Sequence, residues 1–296
     1  MNFPHTYQNG NCQISLKSDG SRTISYEDEL ELEFPLNIDI RVSNRCSFGQ
    51  RPNGTWALCS FCHESAKTDG QECNYQELQD KLFGLPAGIE LAIGSNELTD
   101  NLYDFLIWCK DQGYICNLTV NQGHLRRDLS KLLKALNSKL INGLGISYRS
   151  ILKWDIPDEL LTENTVFHVI AGIDDVEDIL KLSEKGVDKI LILGEKDFGG
   201  NLGNVNLNSD LHKKWRWWLV KVLNAFEIVS FDNLALTQLK VRRYIDNENW
   251  EVFHQGEHSF YIDAADQTFK PSSRSPKLLN WENTDVKSYF KELTTI

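Results

Sequence analysis

The 296-residue chain lacks the features that mark membrane, secreted and fibrous proteins. No stretch of it approaches the roughly 18–20 apolar residues that a membrane-spanning helix needs. The first residues, MNFPHTYQNGNCQIS, have neither the basic start nor the apolar segment of a secretory signal. No repeat recurs at a fixed period. We therefore expect a cytoplasmic protein with one large domain or two small ones, since 41% apolar and 25% charged residues is an ordinary globular composition.

The chain also has fewer basic residues than acidic ones. The chain carries 31 Lys and Arg residues against 42 Asp and Glu residues, which gives a formal net charge of −11. A broad phosphate-binding surface needs clustered cations, because these release counterions from the nucleic acid. The charge balance therefore disfavours long nucleic acid as a partner. The small basic groups at 124–127 and 213–216 are interpreted as solvated helix faces.

No cysteine follows Cys116, and the seven cysteines present are spread unevenly. In a reducing cytosol, a close group of thiols indicates a metal site or a catalytic site rather than a disulfide framework. Cys46, Cys59 and Cys62 form such a group in the segment CSFGQRPNGTWALCSFC, whose glycines and proline allow the chain to bend back. The remaining thiols fall in helix or strand patterns and are more typical of a core.

Three interpretations of this group are open. A structural zinc ion takes four ligands, so a zinc-stabilised binding module would need Cys73 or His63 beside the three thiolates. Incidental buried thiols in an ordinary α/β-barrel enzyme are the second interpretation. The third is a [4Fe–4S] cluster held by Cys46, Cys59 and Cys62, which would leave one iron open to a substrate or a cofactor.

Beyond Pro35, short apolar runs alternate with amphipathic segments. The alternation of apolar and polar residues in NIDIRVS predicts a strand at 37–43, and the runs that follow predict strands at 88–93, 114–120, 143–148, 166–171, 187–193 and 227–231. The segments between them predict helices at 99–112, 125–138, 176–183, 211–223 and 233–241. This alternation is typical of a parallel sheet covered by helices, or of a barrel that curls on itself. Turn residues predict two hairpins, 12–17 with 22–26 and 250–254 with 259–262.

The cysteine spacing resembles that of the radical S-adenosylmethionine (SAM) superfamily. Members of that superfamily carry C-x3-C-x-aromatic-C in the loop after the first barrel strand. The segment from Cys59 to Cys62 keeps the second half of this pattern, with Phe61 at the aromatic position, while the first gap is twelve residues instead of three. The resemblance covers about residues 37–231. It implies that Cys46, Cys59 and Cys62 bind a single [4Fe–4S] cluster.

Further matches follow in the order of the superfamily's strands. Its second strand usually ends in a Gly-Gly-Glu type turn that receives the methionine amino group of SAM, and here this turn is Gly94, Ser95, Asn96 and Glu97, with one glycine kept. Later strands place polar groups near the ribose and carboxylate, and apolar backbone beside the adenine. Besides Phe61 and the turn, the implied SAM contacts are Thr119, Asn121, Ser147, Ile170, Gly172 and Leu193.

The implied fold is of the α/β class, a partial (β/α)6 TIM-like barrel of parallel strands with N-terminal and C-terminal β-hairpin additions. It divides the chain into an N-terminal hairpin extension at 1–35, a barrel core at 36–231, and a C-terminal helix and hairpin extension at 232–296. The implied contacts follow predicted strands, and loops converge on ligands at the carboxyl ends of parallel strands.

The resemblance also implies an activity. In this superfamily a reduced cluster cleaves SAM reductively, and the resulting 5′-deoxyadenosyl radical takes a hydrogen atom from the substrate. An electron donor such as flavodoxin or ferredoxin is implied as a partner. The segments 229–239 and 260–275 resemble a phage-associated group of radical SAM proteins, which favours a nucleotide or nucleobase among the small-molecule substrates.

Overall fold

The computed structural model describes residues 5–17, 22–47, 61–62, 64–95, 97–149, 156–246, 250, 258–282 and 284–294. These residues form a mixed α/β fold with a small antiparallel sheet, a large and mostly parallel sheet, and helices. Within these ranges, no helix combines the length and the apolar character that crossing a membrane requires.

The small sheet is N-terminal. It consists of β1 (His5–Asn9), β2 (Cys12–Leu16) and β3 (Arg22–Ser25). β2 and β3 pair antiparallel, which confirms the predicted N-terminal hairpin. The strand β1, which the turn pattern did not predict, pairs antiparallel with the other edge of β2. Alternate side chains of β2, Cys12, Ile14 and Leu16, are buried against Leu36 and give this sheet a small core of its own.

The large sheet contains all the remaining strands of the described chain. They are β4 (Asn37–Arg41), β5 (Glu90–Gly94), β6 (Ile115–Asn121), β7 (Gly143–Ser147), β8 (Thr165–Ile170), β9 (Lys189–Leu193), β10 (Ile228–Phe231), β11 (Ser259–Asp263), β12 (Thr268–Lys270) and β13 (Leu279–Asn280). Their order is β10-β9-β8-β7-β6-β5-β4-β11-β12-β13. The seven predicted strands between 37 and 231 are therefore present, and they are parallel.

The sheet is open within the described residues, and the expected partial (β/α)6 barrel is not confirmed. Eight strands, β4 to β11, run parallel, and β12 and β13 add antiparallel at one side. Within the described residues the two edges, β10 and β13, do not pair, so the ladder does not close. The additional parallel strand β11 covers the edge of β4, whose backbone N–H and C=O groups would otherwise lack partners on that side.

The predicted C-terminal hairpin is wrong. β11 contains its second arm, but both edges of β11 are occupied, by β4 in parallel and by β12 in antiparallel pairing. The first arm lies outside the described residues except for Trp250, whose amide donates to the Asp246 carbonyl at 3.0 Å, as in a helix. The division of the chain at residues 35 and 231 stays a prediction, although β11 of the last segment shares a sheet with β4.

Helices cover one face of the large sheet. They are α1 (Tyr75–Leu82), α2 (Asp100–Gln112), α3 (Leu125–Asn137), α4 (Val176–Ser183), α5 (Asp210–Ala225), α6 (Asn233–Gln238) and α7 (Val286–Thr294). Polar caps begin several of them, such as Thr99, whose hydroxyl accepts from the Leu102 amide at the start of α2. α2 ends at Gly113, whose φ of 79° is a conformation that glycine adopts without strain. α1 and α7 were not predicted.

The strands alternate between two kinds of environment. Side chains such as Ile40, Ile93 and Leu118 point to the helices and are buried with Phe105 of α2 and Trp215 of α5. The side chains between them lie on the opposite face, which we call the inner face, and many of these are polar and only part-buried. Its polar members on β4, β5, β6 and β8 are Asp39, Arg41, Glu90, Asn117, Thr119 and His168.

Candidate functional site

The three grouped cysteines belong to the segment that follows β4. We call residues 46–62 the cysteine loop; Cys59 and most of this loop lie outside the described residues. The segment after the loop returns beside the segment before it, because the Cys46 amide donates to the Lys67 carbonyl and the Lys67 amide donates to the Asn44 carbonyl, both at 2.9 Å. The two ends of the loop, with Cys46 and Cys62, are thereby held at the carboxyl end of β4.

The first end of the cysteine loop is attached to the segments that follow β5 and β6. The Ser47 hydroxyl donates to Glu97 Oε2 at 3.3 Å and accepts from Arg127 Nη1 at 2.9 Å. It also lies 3.4 Å from His124 Nε2. Arg127 in turn forms an ion pair with Glu97 at 3.1 Å. Two neighbouring strand ends therefore hold the residue next to Cys46.

The second end of the loop is attached further along the sheet. The Arg149 guanidinium, just after β7, lies over the Phe61 ring with its carbon 5.2 Å from the ring centroid. Phe61 also lines a small crevice together with the ends of β8 and β9. The other residues of this crevice are Ile170, Ile173, Leu193, Gly194, Glu195, Lys196 and Asn201. The structure thus brings Phe61, Ile170 and Leu193 together, three of the residues that the resemblance assigned to SAM.

A third attachment lies just beyond the loop. Glu64 forms an ion pair with Nε of Arg41, the last residue of β4. The same guanidinium pairs through Nη1 with Asp263 at 3.0 Å and with Asp266 at 3.3 Å, at the end of β11. The cysteine loop and its flanks therefore contact strand ends from β11 and β4 through β9.

The turn after β5 is partly engaged by the protein itself. Gly94 is the exposed last residue of β5, and the Ser95 hydroxyl donates to the Glu97 carbonyl at 2.7 Å. The Glu97 carboxylate pairs with Arg127, so this side chain holds the loop rather than a free contact surface. Asn96 lies outside the described residues. Among the described residues of this turn, Gly94 is exposed and carries no side chain.

The polar residues expected after β6 and β7 also differ in their surroundings. Gly94 and Thr119 are register partners on adjacent strands, and so are Asn121 and Ser147. Asn121 is buried, and its side-chain oxygen accepts from the Gly123 amide at 2.9 Å, which caps the turn into α3. Thr119 and Ser147 are part-buried.

Gly172 has a packing role that the sequence did not indicate. A Cβ built on it would lie 2.2 Å from Nε2 of His212, which is buried in α5. That nitrogen lies 2.9 Å from Oε2 of Glu195, whose carboxylate is also buried. Gly172 and Glu195 therefore fix the loops after β8 and β9 against α5, which keeps those strand ends in place.

The inner face of the sheet is curved. Lys196 follows β9 and Ser273 follows β12, seven strand spacings away, which would be about 34 Å on a flat sheet. The Lys196 ammonium nevertheless donates to the Ser273 hydroxyl at 3.3 Å. The sheet therefore bends around its inner face and forms a trough below the cysteine loop.

Titratable groups line this trough. Burial raises the pKa of Asp39 on β4 to about 6, and lowers the pKa of His168 on β8 to about 4, so the imidazole is neutral at pH 7. Burial also raises the pKa of Tyr261 on β11 above its ordinary value. Asp39 and His168 were not among the predicted site residues; the signal that could have found them is the alternation of polar and apolar residues within NIDIR and TVFHVI.

The remaining cysteines lie apart from this site. Cys109 and Cys116 are fully buried between α2 and β6, and Cys12 is buried in the small sheet. Burial raises the pKa of Cys73 to about 12, which disfavours the thiolate that a metal needs. Within the described part of the chain, which excludes Cys59, no group of three His, Cys, Asp or Glu side chains has the arrangement of a metal site.

No protein-family model and no curated protein matches the chain. The structure is similar to that of SuiB from Streptococcus suis, which was solved bound to the precursor peptide SuiA. The match covers 90% of this chain and 68% of SuiB, with a TM-score of 0.60 and 13% sequence identity. SuiB is a radical SAM enzyme. The comparison therefore shows that this chain has a radical SAM-like fold.

Proposed function

We propose that the chain is a radical SAM enzyme whose cysteine loop holds one [4Fe–4S] cluster. The observation that carries the proposal is the attachment of the loop and its flanks through Ser47, Phe61 and Glu64 to the carboxyl ends of the parallel strands. Ligands of parallel α/β folds bind at this edge, because the loops converge there. The radical SAM-like fold supports the same assignment.

The donor set fits such a cluster. Cys46 and Cys62 lie at the two ends of the loop, and thiolates are the ligands that iron–sulfur clusters use. Cys59, the third proposed ligand, lies between them in the sequence. The bound cluster would supply the electron for the reductive cleavage of SAM. The Ser47 and Phe61 attachments hold the two ends of the loop at the strand ends.

The proposed SAM contacts divide into residues that touch the cofactor and residues that shape its surroundings. Phe61, Ile170 and Leu193 offer apolar surface for the adenine, and Gly94 offers open backbone for the amino group. The other proposed direct contacts are Ser95, Asn96, Thr119 and Ser147. The remaining three act by position: Glu97 holds Arg127, Asn121 caps a turn, and Gly172 packs against His212.

The proposed substrate is a small molecule, with a nucleotide or nucleobase as the first candidate, and the proposed setting is the cytoplasm with flavodoxin or ferredoxin as electron donor. The acidic net charge supports a small substrate over long nucleic acid. SuiB was solved with a precursor peptide, so a peptide is the substrate class to test beside the proposed small molecule.

Anaerobic reconstitution with iron and sulfide tests the proposal. We expect about four irons per chain, an iron–sulfur absorption band, and cleavage of SAM to 5′-deoxyadenosine when dithionite is added. Cys59→Ala should abolish the cleavage and lower the iron content, because a cluster ligand is lost.

Cys73→Ala is the matched control, since it removes a buried thiol that lies outside the cysteine loop. It should keep both the iron and the cleavage. One zinc ion per chain without iron would instead identify a zinc-stabilised binding module. SAM cleavage by Cys59→Ala at the wild-type rate would remove Cys59 from the ligand set.

A further inference from the structure

We propose that Asp39 is the carboxylate that recognises the substrate, and that the substrate presents to it a nitrogen group with at least two N–H donors. Amines, amidines and amino-substituted rings carry such a group. The inference rests on the proposed function, because it places the substrate in the trough below the cysteine loop. It goes further by naming the chemistry that the substrate must carry.

Asp39 has the position of a ligand-binding group. It lies in the middle of β4 between Ile38 and Ile40, which point to the helices, so its own side chain lies on the inner face. Its register partner on β5 is Ala92, whose methyl group leaves space beside the carboxylate. On the other side its partner is Tyr261 of β11.

The Asp39 carboxylate is accessible and has no partner within the described residues. No hydrogen bond or ion pair reaches it there, and the residue is exposed to water. The surrounding protein is nevertheless dense enough to raise its pKa to about 6. A side chain that faces a water-filled trough is expected to show both the exposure to water and the raised pKa. A carboxylate on this face with no partner among the described residues is open to accept hydrogen bonds from a ligand in the trough.

The nearest cation does not fill this role. The Lys196 ammonium donates to Ser273 and lies 5.8 Å from the Phe198 ring centroid. Its charge interacts more strongly with Glu64 and Asp232 than with Asp39. Lys196 therefore lowers the pKa of Asp39 from a distance and leaves the carboxylate oxygens open.

The nearest carboxylate is already paired. Glu90 of β5 accepts from Arg22 Nη2 at 2.9 Å and from Asn117 Nδ2 at 2.6 Å. These contacts connect the inner face to the small N-terminal sheet, to which Arg22 belongs. Glu90 is thus neutralised by the protein, and Asp39 is the carboxylate of this region that keeps its acceptors for a ligand.

Two uncharged polar groups lie further along the same face. Gly145 of β7 lets Thr119 and His168 pack over its backbone, since a Cβ there would lie 2.6 Å from Thr119 Oγ1 and 2.9 Å from His168 Nε2. The neutral imidazole and the hydroxyl can each donate or accept a hydrogen bond. They are the uncharged polar groups that a substrate extending from Asp39 toward β8 would meet.

Isothermal titration calorimetry of the reconstituted protein at pH 8 tests this chemistry with two probes of the same shape, benzamidinium and benzoate. We expect benzamidinium to bind at least about tenfold more tightly, because only the cation donates charge-assisted hydrogen bonds to Asp39. Asp39→Asn should weaken benzamidinium binding about ten- to hundredfold. Its iron content should equal that of the wild type, because the substitution leaves the cysteine loop intact.

Asp111→Asn, the same chemical change on the exposed surface of α2, is the matched control and should leave benzamidinium binding unchanged. Equal binding of benzoate and benzamidinium by the wild type would overturn the proposal without any variant. Unchanged benzamidinium binding by Asp39→Asn would overturn it as well. Failure of the proposed function would be recognised separately. The wild-type protein would then lack iron and SAM cleavage, independently of how benzamidinium and benzoate bind.

Discussion

Arg41 and Asp263 are register partners on the adjacent parallel strands β4 and β11, and their side chains form an ion pair of 3.0 Å. They are 222 residues apart in the chain, and their side chains are only 12% and 4% exposed. The same guanidinium pairs with Glu64, two residues after Cys62. One arginine therefore connects the C-terminal strands to the cysteine loop.

We expect Arg41→Ala to lower the free energy of unfolding by about 3 kcal/mol, because removing one partner of a buried ion pair leaves a buried charge uncompensated. Lys270, whose ammonium lies 3.4 Å from Asp263, compensates in part and keeps the loss from being larger. Urea denaturation measures the effect. Lys131→Ala breaks an exposed pair with Asp100 and should cost less than about 1 kcal/mol; equal losses in the two variants would contradict the role of Arg41.

The stability of the protein should depend on pH through Asp174. Its carboxylate is buried after β8 and accepts from the Ile170 amide at 2.5 Å. Burial raises its pKa from 3.8 to about 7. Between these values the folded state holds a proton that the unfolded state releases, so this group makes the free energy of unfolding fall as pH rises. The loss is complete above about pH 7.

Asp174→Asn cannot ionise and should escape this loss. From pH 4.5 to pH 8 the stability of the variant should rise relative to wild type, by on the order of 3 kcal/mol. Urea denaturation at the two pH values measures it, and other titrating groups such as His168 cancel because both proteins share them. Asp104→Asn, on the exposed side of α2, should show no such relative change. A constant difference between Asp174→Asn and wild type would contradict the assignment.

Gly145 should not tolerate a side chain. A Cβ on it would lie 2.6 Å from Thr119 Oγ1, so we expect Gly145→Ala to lower the free energy of unfolding by about 1–3 kcal/mol. Adding Thr119→Ala removes the closest contact and should recover part of that loss. A double-mutant cycle by urea denaturation measures the coupling. Strictly additive effects would show that the two residues do not crowd each other.

The parallel ladder could be predicted because its signals are local. Each strand from β4 to β10 is a short apolar run, and the helices between them carry apolar residues at helical spacing. β11 could not be placed in this way, since its partner β4 lies far away in the sequence. A strand that pairs with a distant edge has the same local pattern as one arm of a hairpin, and the hairpin was the wrong choice.

The site was predicted in part for the same reason. The cysteines and Phe61 form a compact motif, so the loop could be recognised from its spacing. The contacts that hold the loop, such as Ser47 with Arg127, join single residues from separate elements and leave no motif. Asp39 was missed although NIDIR was predicted as a strand with alternating apolar and polar residues, because alternation alone does not show which polar residue faces a ligand.

Phe61 offers a test of which side of the cysteine loop faces SAM. Its ring lies under the Arg149 guanidinium and lines the crevice with Ile170 and Leu193. Phe61→Leu keeps an apolar side chain but removes the aromatic face, which contributes about 0.5–2 kcal/mol to such cation–π contacts. Because Arg149 then loses its position beside the proposed adenine site, we expect the Kd for SAM to rise about 3- to 30-fold.

Equilibrium binding of SAM to anaerobically reconstituted protein measures this Kd. The iron content of Phe61→Leu should match that of the wild type, since the three thiols are intact. Phe83→Leu changes a ring that is 74% exposed at the end of α1, so it should alter neither quantity. Loss of iron with unchanged SAM affinity would show instead that the ring supports the loop and does not shape the cofactor site.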